Sequence, residues 1–197
     1  MDDFNDISSP QAMLATRRSG KARDMATPGP DAAQLARILT SAMRVPDHGK
    51  LAPWRFITVA TAERPAFAAM LEAAYRSEHS MPASTEIDAV HQFAMQAPCL
   101  VIVVSEPVPG SNIPRWEQEL SAGAVAMQLC NAAHAQGFVA NWLTGWAAYS
   151  RAVEVGLGIG DGRIAGFIFI GTAARALVER PRPTFENVVR AFAPKAV

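Results

Sequence analysis

An uninterrupted apolar segment, Cys99 to Val104, is the feature of this sequence that most restricts its fold. The run has the length of a strand and contains no polar residue, a pattern typical of a strand that is buried on both faces of its sheet. Four long helical patterns alternate with this strand and with two or three further short strand patterns. The sequence therefore predicts a chain in which helices cover a sheet.

The predicted elements can be placed along the whole chain. Helices are expected at residues 10–16, 31–43, 63–78, 84–95 and 114–136, and strands at 54–61, 99–104, 138–146 and 163–171. Ser8 or Ser9, Asp31 and Ser150 are candidate N-caps, the last of a short helix before the final strand, and Gly137 is a candidate C-cap. Residues 1–9 are interpreted as a flexible leader and residues 10–197 as a single domain. The basic last 25 residues are interpreted as an arm lying on a surface.

Composition excludes several classes of protein. The 18 Lys and Arg residues balance 18 Asp and Glu residues, so the chain lacks the positive excess typical of proteins that bind nucleic acid or anionic membranes. No apolar run approaches the roughly 20 residues of a membrane helix, and the acidic, polar beginning does not resemble a signal peptide. Cys99 and Cys130 form no metal or redox motif, which favours packing roles and a reduced, cytoplasmic setting.

Common catalytic motifs are also missing. The glycine-rich segment 156–162 follows a helix and precedes a strand, which is the reverse of the order in a dinucleotide-binding loop, so it is interpreted as a helix stop and turn. The four histidines show no metal-ligand spacing, and no serine lies in a nucleophile motif. His134 is expected near the end of a long helix, where a cation is favoured.

Two stretches remain as candidates for binding. Arg17, Arg18 and Ser19 stand at the end of the first predicted helix, where guanidinium groups and a hydroxyl can bind a phosphate; a solvated helix end is the alternative. The turn-rich segment from Arg44 to Trp54 has the composition of a binding loop or of a tight connector.

These two stretches, followed by the basic segment 179–189, resemble in order and spacing the nitroreductase family of FMN-dependent oxidoreductases. Residues 114–128 and 137–145 are similar to the short bacterial members, and the resemblance extends over residues 10–190. It implies an α+β fold in which helices flank a mixed central sheet. It also implies a homodimer with an extended C-terminal arm and two FMN molecules at the interface.

The resemblance further implies roles for individual residues. Arg17 and Ser19 would hold the FMN phosphate, Arg18 would complete that motif, and Arg182 matches a later basic phosphate contact. Arg44 and His48 would reach the flavin of the other subunit, while Trp142, Leu143 and Thr144 would pass the ring and ribityl side. The segment bordering the nicotinamide nucleotide would be Ala132, Ala133, His134, Ala135, Gln136 and Gly137. Ala52 and Leu143 depart from the family, because polar residues are common at both positions.

The implied activity is ping-pong hydride transfer, through flavin N5, from NAD(P)H to a nitroaromatic, a quinone or a related small-molecule acceptor. The cofactor would perform the redox step, so no side chain need act as a nucleophile or general base. Three alternatives stay open at this point. They are a flavin-binding or interaction protein without turnover, another flavin reaction such as dehalogenation, flavin fragmentation or azoline oxidation, and a scaffold without cofactor.

Overall fold

The computed structural model describes residues 4–193, and its elements follow the predicted order. The helices are α1 (Pro10–Thr16), α2 (Ala32–Ala42), α3 (Arg64–Glu78), α4 (Ser84–Met95), α5 (Arg115–Ala135), α6 (Arg151–Gly156) and α7 (Phe185–Val188). The strands are β1 (Met25–Ala26), β2 (Trp54–Val59), β3 (Cys99–Ser105), β4 (Val139–Leu143) and β5 (Arg163–Ala173). The glycine-rich segment 156–162 ends α6 and leads into β5, as predicted.

The helix ends predicted from capping residues are confirmed. Ser9 and Ser150 each accept, on the side-chain oxygen, a hydrogen bond from the backbone N–H three residues ahead, at 3.0 and 3.1 Å. Asp31 and Gln34 form both halves of a capping box at the start of α2. Gly137 follows α5 with a φ of +82°, the left-handed conformation that favours glycine at a helix C-terminus.

Strand β5 is the centre of the sheet. Its neighbours are β3, β4 and β1, and β2 lies beyond β3. Cys99 of β3 lies opposite Ile170 of β5, and the β4 register runs from Val139 opposite Gly171 to Leu143 opposite Phe167. Strand β5 therefore pairs directly with three of the other four strands.

The family resemblance implies a mixed sheet, whereas every pairing between the described strands is antiparallel. The order of the strands gives the reason. Two consecutive helices, α3 and α4, join β2 to β3, and these two strands run in opposite directions. The single long helix α5 makes β3 and β4 run in the same direction, but β5 lies between them and opposes both. The α+β class is confirmed.

The sheet has a core on each face, as the apolar run of β3 predicts. Leu100, Ile102 and Val104 of β3 belong to a cluster that includes residues of α3, α4 and α6. Val101 and Val103 belong to the opposite cluster, which contains residues of α2 and α5. Cys99 and Cys130 are also buried in this second cluster, and burial raises the pKa of their thiols to about 11 and about 12. Their interpretation as packing residues is confirmed.

The two ends of the described chain differ in how they are held. Of the expected flexible leader, residues 1–3 lie outside the described residues, whereas Asn5 and Asp6 are hydrogen-bonded to Thr16 and Arg18. The expected arm, up to residue 193, is largely exposed and contains only the short helix α7. Within residues 4–193, none of the helices combines the length and apolarity needed to cross a membrane.

Candidate functional site

The turn after α1 forms a compact group of donors. Arg17 is the C-cap of α1, and its guanidinium Nη1 donates to Ser19 Oγ at 3.2 Å. The Nη1 of Arg18 donates to the carbonyl oxygen of Ser19 at 3.1 Å. Asn5 holds the backbone of Arg18 from both sides, through its side-chain oxygen at 2.8 Å and its side-chain nitrogen at 3.0 Å. The turn is thus fixed by contacts within the first 19 residues.

The C-terminal arm adds a further cation to this turn. Arg182 Nη2 donates to the carbonyl oxygen of Arg17 at 3.4 Å, and Arg18 Nε donates to the carbonyl oxygen of Val178 at 2.6 Å. A carboxylate oxygen of Glu179 lies 3.9 Å from Nε of Arg18 and 3.4 Å from Nη2 of Arg182. The structure therefore brings together four residues predicted from the sequence, and we call Arg17, Arg18, Ser19 and Arg182 the basic cluster.

A cavity of about 190 Å³ opens beside the basic cluster. Lys21 and Arg175 line it together with Arg18 and Ser19, while Asp24 is its carboxylate. Cationic side chains outnumber carboxylates around this cavity, so its local charge is positive although the whole chain is neutral. Lys21 and Arg175 had no assigned role in the sequence; only the density of basic residues there could have pointed to them.

Strand β4 begins next to the basic cluster and leads away from it. Asn141 Nδ2 donates to the carbonyl oxygen of Gly20, which joins the strand to the turn that carries Ser19. Trp142 is 38% exposed, and its indole N–H donates to the carbonyl oxygen of Ala165 at 3.0 Å. Leu143 and Thr144 follow, both half-buried. Trp142, Leu143 and Thr144, which are predicted to lie along the flavin ring, thus follow the edge of the sheet that starts beside the predicted phosphate position.

Gly145 ends this segment in a conformation that other residues avoid. Its φ of +70° and ψ of −169° lie in a region essentially restricted to glycine. The turn it permits directs the chain into the short helical segment 146–148 and then to α6. An open space lies where a Cβ of this residue would be. A glycine is required here by the backbone rather than by crowding.

The loop before β2 is rigid but lies elsewhere. The carboxylate of Asp47 accepts hydrogen bonds from the backbone N–H groups of Leu51 and Ala52, at 3.1 and 2.8 Å. Ser121 Oγ of α5 accepts from Trp54 Nε1 at 3.2 Å and donates to the carbonyl oxygen of Pro46 at 2.8 Å. These contacts fix both ends of the loop on α5 and beside β2.

His48 and Arg44 are exposed and are not brought to the basic cluster of the same chain. The Nδ1 of His48 lies 2.7 Å from a carboxylate oxygen of Glu117, in the first turn of α5. The turn that carries Ser19 lies near the other end of α5, because Gly20 packs against Val139, which follows that helix. At 1.5 Å per residue the helix separates Glu117 from Ala135 by roughly 27 Å. Contact of Arg44 and His48 with a flavin held by another subunit stays a prediction.

The segment 132–137, which is expected to border the nicotinamide nucleotide, contains both buried and accessible residues. Ala132, Ala133 and His134 are buried, whereas Ala135 and Gly137 are exposed and Gln136 is half-buried. Within this chain, only the last three residues of the segment present surface to a ligand. Their predicted role is not tested by these positions.

His134 differs from its expected state. Its side chain has no exposed surface, and Nδ1 donates to the carbonyl oxygen of Phe138 at 3.0 Å. Burial lowers the pKa of His134 to about 4, so the ring is neutral near pH 7. The expectation of a cation at the end of α5 is wrong, because desolvation outweighs the attraction of the helix C-terminus. Nε2 has no hydrogen-bond partner among the described residues.

A second cavity, of about 260 Å³, was not predicted from the sequence. It lies between α3, α4 and the turn after β4, and we call it the α3–α4 cavity. Thr144, Gly145 and Trp146 line one side of it, and Leu71 and Phe93 are among the residues of the other side. Within the described chain there is no group of three or more His, Cys, Asp or Glu side chains that could hold a metal ion.

Comparisons with known proteins point to one family. The model of the nitroreductase family matches residues 14–172. A protein of Escherichia coli strain K12 named "Putative NAD(P)H nitroreductase YdjA" is 35% identical over 179 residues, which cover 87% of this chain and 94% of that protein. The sequence identity is high enough, over enough of both chains, to establish kinship.

Solved structures share the fold. A nitroreductase-like family protein from Bacillus cereus has a TM-score of 0.77 at 19% identity and covers 94% of this chain and 96% of its own. The FMN and NADPH-dependent nitroreductase NfnB from sphigopyxis sp. strain HMH has a TM-score of 0.71 at 20% identity, with 94% and 99% covered. The resemblance inferred from the basic turn, the loop before β2 and the C-terminal basic segment is confirmed: the chain belongs to the nitroreductase family.

Proposed function

We propose that this protein is an FMN-dependent NAD(P)H oxidoreductase that works as a homodimer and reduces nitroaromatic, quinone or related electrophilic acceptors by a ping-pong mechanism. The observation that carries the proposal is the basic cluster, in which Arg17, Arg18 and Ser19 meet Arg182 from the far end of the chain. The names of YdjA and of NfnB, with its FMN and NADPH dependence, support the same activity.

The donors of the basic cluster fit a flavin phosphate. The guanidinium groups of Arg17 and Arg18 carry planar pairs of N–H donors that match phosphate oxygens. Ser19 Oγ accepts a hydrogen bond from Arg17 and keeps its own proton for donation to a phosphate oxygen. Positive charge around the neighbouring cavity favours the same ligand. These residues would hold FMN by its phosphate, with β4 leading from that point towards the ring.

When bound, FMN supplies the hydride transfer, at N5, between NAD(P)H and the acceptor. The residues of this chain would bind and orient the flavin and the nicotinamide nucleotide. Trp142, Leu143 and Thr144 would lie along the flavin, and the conformation of Gly145 sets the path of the backbone at the end of that segment. Ala135, Gln136 and Gly137 are the exposed part of the segment that would border the nicotinamide nucleotide. No titratable side chain is required to move a proton in this scheme.

Helix α5 supports the homodimer. Trp116 and Leu120 are 67% and 53% exposed and stand four residues apart, hence on one face of the helix. Gly123 and Ala124 continue with small side chains that permit close approach of a second backbone. Burial of this face against another copy would also carry the loop with Arg44 and His48 towards the partner's flavin site. Association would remove these two exposed apolar side chains from water, which is the contribution that this face offers to a dimer.

The decisive experiment is an absorption spectrum of the purified protein after incubation with FMN and removal of unbound flavin. We expect bound flavin in equal amount to protein, loss of its visible band when NADH or NADPH is added without oxygen, and recovery of the band on addition of a nitroaromatic or a quinone. Colourless protein that retains no flavin at micromolar concentration would overturn the proposal. Bound flavin that neither nucleotide reduces would favour the flavin-binding protein without turnover.

A further inference from the structure

The imidazole of His48, in the loop before β2, is held by a carboxylate of α5. Nδ1 of His48 lies 2.7 Å from an oxygen of Glu117, and the ring makes no other hydrogen bond with residues 4–193. A carboxylate only accepts hydrogen bonds, so the hydrogen of this contact is on Nδ1. In the neutral ring Nε2 is then an acceptor, and it lies on the side of the ring away from Glu117.

The backbone of this loop has supports other than Glu117. The carboxylate of Asp47 accepts two backbone hydrogen bonds within the loop, and Ser121 Oγ of α5 donates to the carbonyl oxygen of Pro46. Ser121 follows Glu117 by four residues, so both lie on one face of α5 and contact the loop at successive turns. Ser121 holds the main chain, whereas the one hydrogen bond that the Glu117 side chain makes with the described chain goes to the His48 ring.

The pair stands at the edge of the face proposed for the dimer. Trp116 and Leu120 belong to that face, and Glu117 directly follows Trp116. The side chains of His48 and Glu117 are themselves 65% and 44% exposed. The turn that carries Ser19 lies near the other end of α5, roughly 27 Å away along the helix. The His48 ring is therefore exposed beside a surface that a second subunit would approach, far from the basic cluster of its own chain.

We propose that Glu117 is a positioning residue, which orients the imidazole of His48 through Nδ1 so that Nε2 is presented, as a hydrogen-bond acceptor, to the flavin of the other subunit. The oxidised isoalloxazine ring offers an N–H donor, at N3, to such an acceptor. This inference rests on the proposed function, which supplies the flavin and the homodimer. It adds the residue that orients His48 and the atom through which the ring acts.

The first measurement is the tautomer of His48, determined by two-bond ¹H–¹⁵N NMR at about pH 8, above the ordinary pKa of histidine. It is made on the full chain with and without added FMN, and His48→Gln assigns the signal. We expect the Nδ1–H tautomer. Glu117→Ala should lower the ratio of Nδ1–H to Nε2–H at least about threefold, within the range for an exposed pair. An Nε2–H ring in the unmodified protein would overturn the inference.

The matched control for this measurement is Glu119→Ala. It removes a carboxylate two residues further along α5, which contacts Arg115 instead of His48. The tautomer ratio of His48 should be unchanged in this variant. Equal ratios in Glu119→Ala and Glu117→Ala would show that Glu117 does not set the state of the ring.

The second measurement is the dissociation constant of FMN. Glu117→Ala should raise it at least about threefold, whereas Glu117→Gln keeps an oxygen that accepts from Nδ1 and should restore most of the affinity. In a His48→Ala background, Glu117→Ala should change the constant less than about 1.5-fold, because the two residues act through one contact. A loss that persists without His48 would overturn the inference, since Glu117 would then act by another route.

Hydrogen exchange separates positioning from a loss of structure. The backbone amides of Leu51 and Ala52 should exchange at the same rate in Glu117→Ala as in the unmodified protein, because Asp47 and Ser121 still hold the loop. Faster exchange would overturn the inference by showing that Glu117 holds the loop itself. Unmodified protein that retains no FMN would refute the proposed function, whereas FMN bound equally well by Glu117→Ala would refute this inference alone.

Discussion

The carbonyl oxygen of Arg17 accepts a hydrogen bond from Nη2 of Arg182, and this contact joins residues 165 positions apart. Arg18 makes a second contact with the same C-terminal segment through the carbonyl oxygen of Val178. The basic cluster is therefore assembled from both ends of the described chain, around residues that are distant in sequence and share one charge. Like charges gathered in this way are stabilised by a bound anion.

Arg17→Ala should weaken the retention of FMN by about 1.5–3 kcal/mol, the range for a hydrogen bond to a charged group. Its guanidinium donates a hydrogen bond to the side-chain oxygen of Ser19. Flavin fluorescence, titrated with protein, gives the dissociation constant. Arg23→Ala removes an exposed cation close to the same turn and is the matched control. If both variants bind FMN as the unmodified protein does, Arg17 does not hold the phosphate.

Leu120→Glu should weaken association of the proposed dimer at least about tenfold, because a carboxylate would be desolvated in the interface. Sedimentation velocity over a range of concentrations measures the association. Val155→Glu introduces the same charge at a 62% exposed position on α6 and should leave association unchanged. A protein that is already monomeric at all concentrations would contradict the role assigned to α5.

Gly166→Ala should lower the free energy of unfolding by about 1–3 kcal/mol, as expected for overpacking. A Cβ at this position would overlap the indole nitrogen of Trp142 and come within 3.2 Å of the Leu143 carbonyl oxygen. Urea unfolding measures the stability, and tryptophan fluorescence reports the displaced ring. Gly160→Ala, where no atom lies within 4 Å of the added carbon, is the control. Similar stabilities of the two variants would show that Trp142 moves aside without cost.

Ser121→Ala should destabilise the fold by about 1–3 kcal/mol, because Trp54 Nε1 and the carbonyl oxygen of Pro46 would both lose their partner. The loss should be concentrated at the loop before β2, so hydrogen exchange of the backbone amides of Leu51 and Ala52 should accelerate. Ser41→Ala, at an exposed position of α2, should change neither quantity. Unaltered exchange in Ser121→Ala would mean that Asp47 alone fixes the loop.

His134→Gln should flatten the loss of stability in acid. The pKa of His134 is about 4 in the folded chain, whereas an exposed histidine has a pKa of about 6.5, so the unfolded chain binds the extra proton between these limits. The free energy of unfolding therefore falls as the pH drops from 6.5 to 4, by roughly 3 kcal/mol from this group. Urea unfolding at a series of pH values measures the slope. His48→Gln removes an exposed ring instead, and an equally flattened slope in that variant would contradict the assignment to His134.

Local signals predicted the elements well because their causes are local. Ser9, Asp31 and Ser150 cap helices with their own side chains, and Gly137 ends α5 through its backbone conformation. The run from Cys99 to Val104 indicated a strand covered on both faces because no other placement removes so many apolar side chains from water.

The features that could not be predicted from the sequence depend on contacts between segments that are distant along the chain. The antiparallel pairing of β5 with β3 and β4 depends on the order of the strands in the sheet, because β5 lies between two strands that run in the same direction. The neutral state of His134 depends on burial, whereas its position on α5 had indicated a cation. The α3–α4 cavity is lined by two helices and by a turn about 50–75 residues further along the chain, so no local sequence pattern could predict it.

The position of β5 has a consequence for biosynthesis. This strand is the last of the described sheet to leave the ribosome, yet β1, β3 and β4 all pair with it. Before residue 173 has emerged, the nascent chain can form the β2–β3 ladder and its helices, but the apolar β3 has nothing on its other edge. The sheet is thus completed only after this strand has emerged, and until then the unpaired edge of β3 is a potential site of aggregation.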